Sequence, residues 1–123
     1  MSWYSASLVY VIRLKSAGQT DFPVWENTCL IEAEDDNEAF QKAEVIGRER
    51  EVDDPALTLN GEPAVMSFHG VKKIFEIYPS FDVVEFVRPD HGTEVGFSRY
   101  SVSAMEDLEK LMSGACVQVS FEG

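Results

Sequence analysis

The sequence predicts an α+β domain: a mainly antiparallel sheet of about six to seven strands with two helices on one face. Three observations point there. Apolar and polar residues alternate with period two along several runs. Two short segments carry helix-start signals followed by an apolar stripe at helical spacing. Turn-forming pairs such as Asn60-Gly61 and Ser113-Gly114 separate the runs. The two helical segments also read alike: Asp35–Ala43 and Ser103–Leu111 both begin with a capping residue, with Glu three places on. That suggests a strand–strand–helix–strand unit used twice, over 1–78 and 79–123, inside a single domain spanning 1–123.

Residues 3–15 predict one long strand, with Tyr4, Ala6, Leu8, Tyr10, Ile12 and Leu14 on the core side. Trp3, Ser5, Ser7, Val9, Val11 and Arg13 fall on the reverse, which is only partly apolar. A loop rich in turn formers, 16–21, leads to a second strand from about Val24 to Glu34, in which Trp25, Cys29, Ile31 and Ala33 share a side. The first helix starts at Asp35 or Asp36, where a carboxylate accepts orphan backbone N–H groups and Glu38 completes a capping-box-like pair. Ala39, Phe40, Ala43, Ile46 and Gly47 form its buried stripe, and Asp53-Asp54-Pro55 ends it.

Leu57–Leu59 and Ala64–Met66 flank Asn60-Gly61 as a hairpin, and Met66–Tyr78 is a strand in which the interior Gly70 suggests a bulge or a close backbone approach. Residues 81–87 and 94–100 predict another hairpin around Pro89-Asp90-His91-Gly92. Ser103, with Glu106 three places on, caps the second helix, whose stripe is Met105, Leu108, Leu111 and Met112. A last strand alternates over 115–121.

Composition limits function. The 123 residues carry a net charge of -12 at pH 7, and residues 24–62 alone hold twelve acidic side chains against three basic ones. Such a field repels nucleic acid and anionic lipid. No apolar run approaches the roughly 20 residues that span a bilayer. The first residues lack the basic and apolar regions of a signal peptide, so a cytoplasmic protein is expected. Cys29 and Cys116 are then expected to be reduced, with a disulfide as the alternative.

Motifs for chemistry are missing. His69, His91, Cys29 and Cys116 have no metal-ligand spacing, no serine sits in G-x-S-x-G, and no phosphate-binding glycine loop is present. No metal, cofactor or catalytic residue is predicted. A binding role is the leading expectation: with both helices on one face, Trp3, Trp25 and His69 would line an open reverse face, flanked by Glu32 and Glu34. The cheapest cover for it is a second copy in a symmetric dimer. Two rivals remain. One is an immunity- or inhibitor-type protein masking a basic partner with the acidic 24–62 region. The other is a small-molecule-binding domain or small enzyme using His69 and Cys29.

Trp3-Tyr4-Ser5-Ala6, the acidic Ala33-Glu34-Asp35-Asp36-x-Glu38-Ala39 and Phe68-x-Gly70-Val71-x-x-Ile74-Phe75-x-Ile77 occur here in order. Together they resemble a family of small bacterial proteins catalogued as domain of unknown function 4288, over residues 3–78. The resemblance implies a bacterial, cytoplasmic protein and no assigned activity. Residues 79–123 have no counterpart in it.

Overall fold

In a computed structural model, residues 2–77, 90–115 and 117–121 are described. The long first strand, β1 (Ser2–Leu14), is followed by β2 (Phe22–Ala33), helix α1 (Asp36–Glu49), the two-residue β3 (Thr58–Leu59) and the long β4 (Glu62–Glu76). Then come β5 (Glu94–Val102), helix α2 (Met105–Met112) and the short β6 (Ser120–Phe121). Every pairing is antiparallel, in the order β3-β4-β1-β2-β5-β6. The α+β class and antiparallel sheet are as the sequence predicts. The predicted strand at 81–87 lies outside the described residues.

β1 is paired along its length on both sides, with β2 in unbroken register from Ser2↔Ala33 to Val11↔Val24 and with β4 from Tyr4↔Glu76 to Leu14↔Ala64. Both of its faces are buried. Tyr4, Ala6, Leu8 and Tyr10 join Cys29, Ile31 and Ala33 under Ala39, Ala43 and Ile46 of α1. Val9 and Val11 join Val24, Tyr100 and Val102 around Leu108 of α2. Successive side chains of a strand point to opposite faces, so the two helices lie on opposite sides of the sheet. This corrects the expectation of both on one face. The run Leu8-Val9-Tyr10-Val11-Ile12 is apolar at every position, as a strand covered on both sides requires.

The connections explain why a count of helices does not give their placement. β2 and β4 both run antiparallel to β1, hence parallel to each other, and α1 crosses over β1 to join them. α2 instead joins β5 to its direct neighbour β6, an antiparallel pair. The strand before α1 (β2) and the β3–β4 hairpin after it are separated by β1, whereas the strands around α2 touch. The two segments that read alike are therefore built differently, and the twice-used unit is not seen among the described residues.

α1 begins as the sequence indicates: Asp35 is the N-cap and its Oδ1 accepts from Glu38 N at 2.8 Å. Glu38 Oε1 reaches back to Glu34 N at 3.1 Å, so two backbone donors are satisfied. Phe40, predicted in the buried stripe, is instead exposed on the helix flank. α2 departs further. Its N-cap is Ala104, with no side-chain cap, because Ser103 Oγ turns to Asp107 Oδ2 at 3.3 Å. The last strand shrinks to two residues, while Val117 and Val119 still pack on the second core.

Asn60-Gly61 forms the tight turn between β3 and β4, with φ of 54° and 81°, the left-handed pair that a type I′ hairpin needs. β4 has two register shifts against β1, which leave Lys72 and His69 as the extra residues on either side of Val71-Gly70. Such bulges re-aim side chains. Lys72 Nζ meets Glu26 Oε2 at 3.3 Å and His69 Nε2 meets Glu109 Oε1 of α2 at 2.9 Å.

α1 is pinned to the sheet at one close approach. Gly47 lies against Phe68, and a Cβ there would overlap the edge of its ring. Tyr10 Oη donates to Gly47 O at 3.1 Å, and the Tyr10 and Phe68 rings sit 5.5 Å apart, tilted. Gly47→Ala gains about 1 kcal/mol of helix propensity but overlaps three ring atoms of Phe68 and must displace the ring, at a cost in the upper part of the usual range, about 2–3 kcal/mol. We expect a net loss of about 1–2 kcal/mol, read as a lower denaturation midpoint at constant m-value. An unchanged midpoint would show that α1 does not sit this close to β4.

Candidate partner-binding surface

The residues singled out in the sequence do not form one face. Trp3 is 1% exposed and lies in the core. It pairs with Glu32 on the side of the sheet away from α1. Trp25 pairs with Tyr10 on the α1 side and is only half-buried. His69 is on the α2 side, held by Glu109. Glu34 is exposed and its backbone N–H is taken by Glu38. Glu32 is half-buried; its N–H donates to His91 Nδ1 at 2.9 Å and its carbonyl accepts from Lys42 Nζ at 2.9 Å. The expected Trp3–Trp25–His69 surface is thus corrected: two sheet faces share these residues, and Trp3 is not available to a partner.

Cys29 and His69 are separated by the sheet. Cys29 is a buried free thiol on the α1 side. Arg50 Nη1 reaches its Sγ at 3.3 Å and Arg50 Nη2 donates to Gly92 O at 2.9 Å. Burial pushes the thiol pKa up, and this outweighs the nearby guanidinium, which favours the thiolate. No disulfide holds Cys29, and Cys116 lies outside the described residues. On the α2 side, Tyr100 Oη donates to Glu26 Oε2 at 3.1 Å, beside Lys72. Burial and that carboxylate both raise the Tyr100 pKa. This polar cluster ties β4, β2 and β5 together over Val9. Among the described residues, no group of three or more His, Cys, Asp and Glu is placed to hold a metal ion, and no helix is long and apolar enough to cross a membrane.

Among the described residues, a different surface stands out. α1 packs mainly on β4, β2 and β1. Where β2 meets β5 on the α1 side, the Trp25 and Phe97 rings stack at 6.1 Å with an interplanar angle of 20°. The Arg99 guanidinium lies over both, 4.8 Å from the Trp25 ring centre and 5.4 Å from that of Phe97. Arg99 Nε has no hydrogen-bond partner among the described residues. Phe97 is 54% exposed and Val95, at the bulge of β5, 55%. Beside this surface a cleft of about 540 Å³ runs between α1 and the turn before β5, lined by Glu38, Gln41, Lys42, Val45, Glu49 and His91. Sequence reading missed Phe97 and Arg99. Their alternation over 95–99 marked a strand, but only the pairing Trp25↔Arg99 brings them to the tryptophan.

No curated protein and no solved structure matches the chain. Residues 3–95 match the family described as Domain of unknown function (DUF4288), a stretch wider than the 3–78 read from motifs, since it includes the 90–93 turn and the start of β5. It holds α1 and the first core and leaves α2 outside. The match covers well over half of the 123 residues, and the chain belongs to the DUF4288 family.

Proposed function

We propose that this protein is a non-catalytic, protein-binding module that docks a partner, in the first instance a second copy of itself, on the β5 flank beside α1. One observation carries the reading: a stacked Trp25–Phe97 pair with Arg99 laid across it, beside the half-exposed Val95. Tryptophan and arginine are the residues most enriched at the energetic centres of interfaces, and cation–π contacts gain strength when a partner excludes water. The separation of Cys29 from His69 removes the basis for a nucleophilic dyad. In this reading the protein works in the bacterial cytoplasm, in keeping with a buried free Cys29.

The acidic 24–62 region supports a basic partner less well. Asp35 and Glu38 serve the α1 N-terminus, Glu38 also pairs with Lys42 at 3.1 Å, and Asp53 pairs with Lys15 at 3.0 Å. Much of the charge has work inside the fold.

A photo-crosslinking amino acid at position 97, introduced in native cells, is expected to yield a covalent protein adduct whose mass identifies the partner. The same probe at the exposed Asn37 serves as control. No adduct at 97 above that control would overturn the reading. In vitro, light scattering is expected to give twice the 13.8 kDa chain mass at high concentration. Phe97→Ser is expected to weaken association tenfold or more, for a loss of about 2 kcal/mol at an interface centre, while the unfolding midpoint stays near wild type. A non-catalytic Cys29 has its own signature. In a Cys116→Ser background, its thiol should react with a disulfide reagent at pH 7 far more slowly when native than when denatured. Equal rates would contradict its burial.

A further inference from the structure

β5 does not run the full length of β2. The ladder between them ends at Cys29↔Glu94, and β2 continues to Ala33. The outward backbone groups of residues 30–32 would therefore be left as an open strand edge, which invites pairing with other chains. The structure closes this edge by other means. Leu30 N donates to Thr93 O at 2.8 Å and Gly92 N donates to Leu30 O at 2.6 Å. Arg50 holds Gly92 O. The last outward donor, Glu32 N–H, goes to His91 Nδ1 at 2.9 Å, and the Glu32 carbonyl takes Lys42 Nζ. An imidazole nitrogen thus stands where the next carbonyl of β5 would have been.

An imidazole can accept there only through an unprotonated Nδ1, so its one proton sits on Nε2. Protonation puts an N–H on Nδ1, facing the Glu32 N–H head to head. The bond is lost and two donors oppose each other. We propose that His91 is a proton-operated clasp on the β2 edge: neutral imidazole closes residues 30–32, and imidazolium releases them together with the 90–93 turn. This goes beyond the partner-binding reading and does not depend on it.

The surroundings favour the closed form near neutrality. From α1 and its C-cap, Lys42 and Arg50 bring positive charge to His91, while Glu38 and Glu49 line the same cleft. From β2 there is Glu32, and on its own arm Asp90 and Glu94 flank the ring in sequence. Partial burial, then Lys42 and Arg50, lower the His91 pKa below the ordinary 6.5. The sign follows from linkage. The unfolded chain binds the proton more tightly than the folded one. The contribution of the clasp to stability is therefore complete above the unfolded value and is lost as pH falls through the lower folded value.

The test is an NMR titration of the full chain that follows the His91 ring nitrogens and amide exchange at Glu32 together. At pH 8 the ring should show protonated Nε2 and bare Nδ1. One pH unit below the His91 pKa, only about a tenth of the rings remain neutral. Glu32 protection, corrected for the intrinsic pH dependence of exchange, should by then be almost lost, with a protection factor close to one and with Ala6 and Tyr10 in β1 unchanged. His91→Phe should leave Glu32 unprotected at every pH, and His69→Gln should leave the step intact. The proposal is overturned if Nδ1 carries the proton at pH 8, or if Glu32 protection is flat through the His91 titration. A step that disappears in His69→Gln instead would overturn it equally. The wild-type and His69→Gln measurements decide the matter even if His91→Phe does not fold.

Discussion

The double burial of β1 is the constraint on which the rest of the structure depends. A strand of 13 residues, paired on both edges and covered on both faces from Leu8 to Ile12, exposes little beyond its ends and the half-buried Ser5 and Ser7. Its even-numbered side chains require one cover and Val9 and Val11 require another, since each exposed branched aliphatic would forgo about 1.5–3 kcal/mol of transfer free energy. α1 meets the first demand and α2 the second. The bulges in β4 follow from the same arrangement. Without them His69 and Lys72 could not turn toward Glu109 and Glu26 while Phe68 and Val71 still pack beneath α1.

The placement of the helices decides where a partner could bind. Had both lain on one side, a whole sheet face would remain to be covered. With one on each side, the exposed apolar groups of the sheet among the described residues are split: Val95 and Phe97 on β5, and Phe75, which pairs with Ser5, on the α2 side. The aromatic–arginine cluster between β2 and β5 owes its form to cross-strand pairing, which sets Trp25 beside Arg99 and Asn27 beside Phe97. The 90–93 turn borders the same region. It supplies His91 to the cleft and a carbonyl to Arg50, so the turn joins α1, β2 and the start of β5.

Local chemistry was legible in the sequence where one or two residues determine the outcome. The Asp35–Glu38 cap, the Asn60-Gly61 turn and the two arms of β4 around Gly70 follow from side-chain reach or from backbone preference. The second cap failed because Ser103 had a closer use, the Asp107 carboxylate. The side taken by α2 was not legible, because helix amphipathicity says which stripe is buried but not against which face. The right-handed crossover rule constrains the β2–α1–β4 unit, yet has no hold on a helix joining neighbouring antiparallel strands. Ser5 and Ser7 made the reverse face of β1 look open, although Val9 and Val11 on that same face already signalled a second core. Trp25 was read as sharing a side with Cys29 and, at the same time, as part of the reverse face; pairing with Tyr10 resolves this in favour of the first. Phe97 and Arg99 are brought to Trp25 only by register, which alternation alone cannot supply.

Methyl-to-methyl nuclear Overhauser contacts test the two-sided core most directly. The account predicts contacts from Leu108 to Val9 and Val11, and from Ile46 and Ala43 to Leu8, with none between the two sets. Contacts from Leu108 to Leu8 or Ala43 would place both helices over the same face and contradict it.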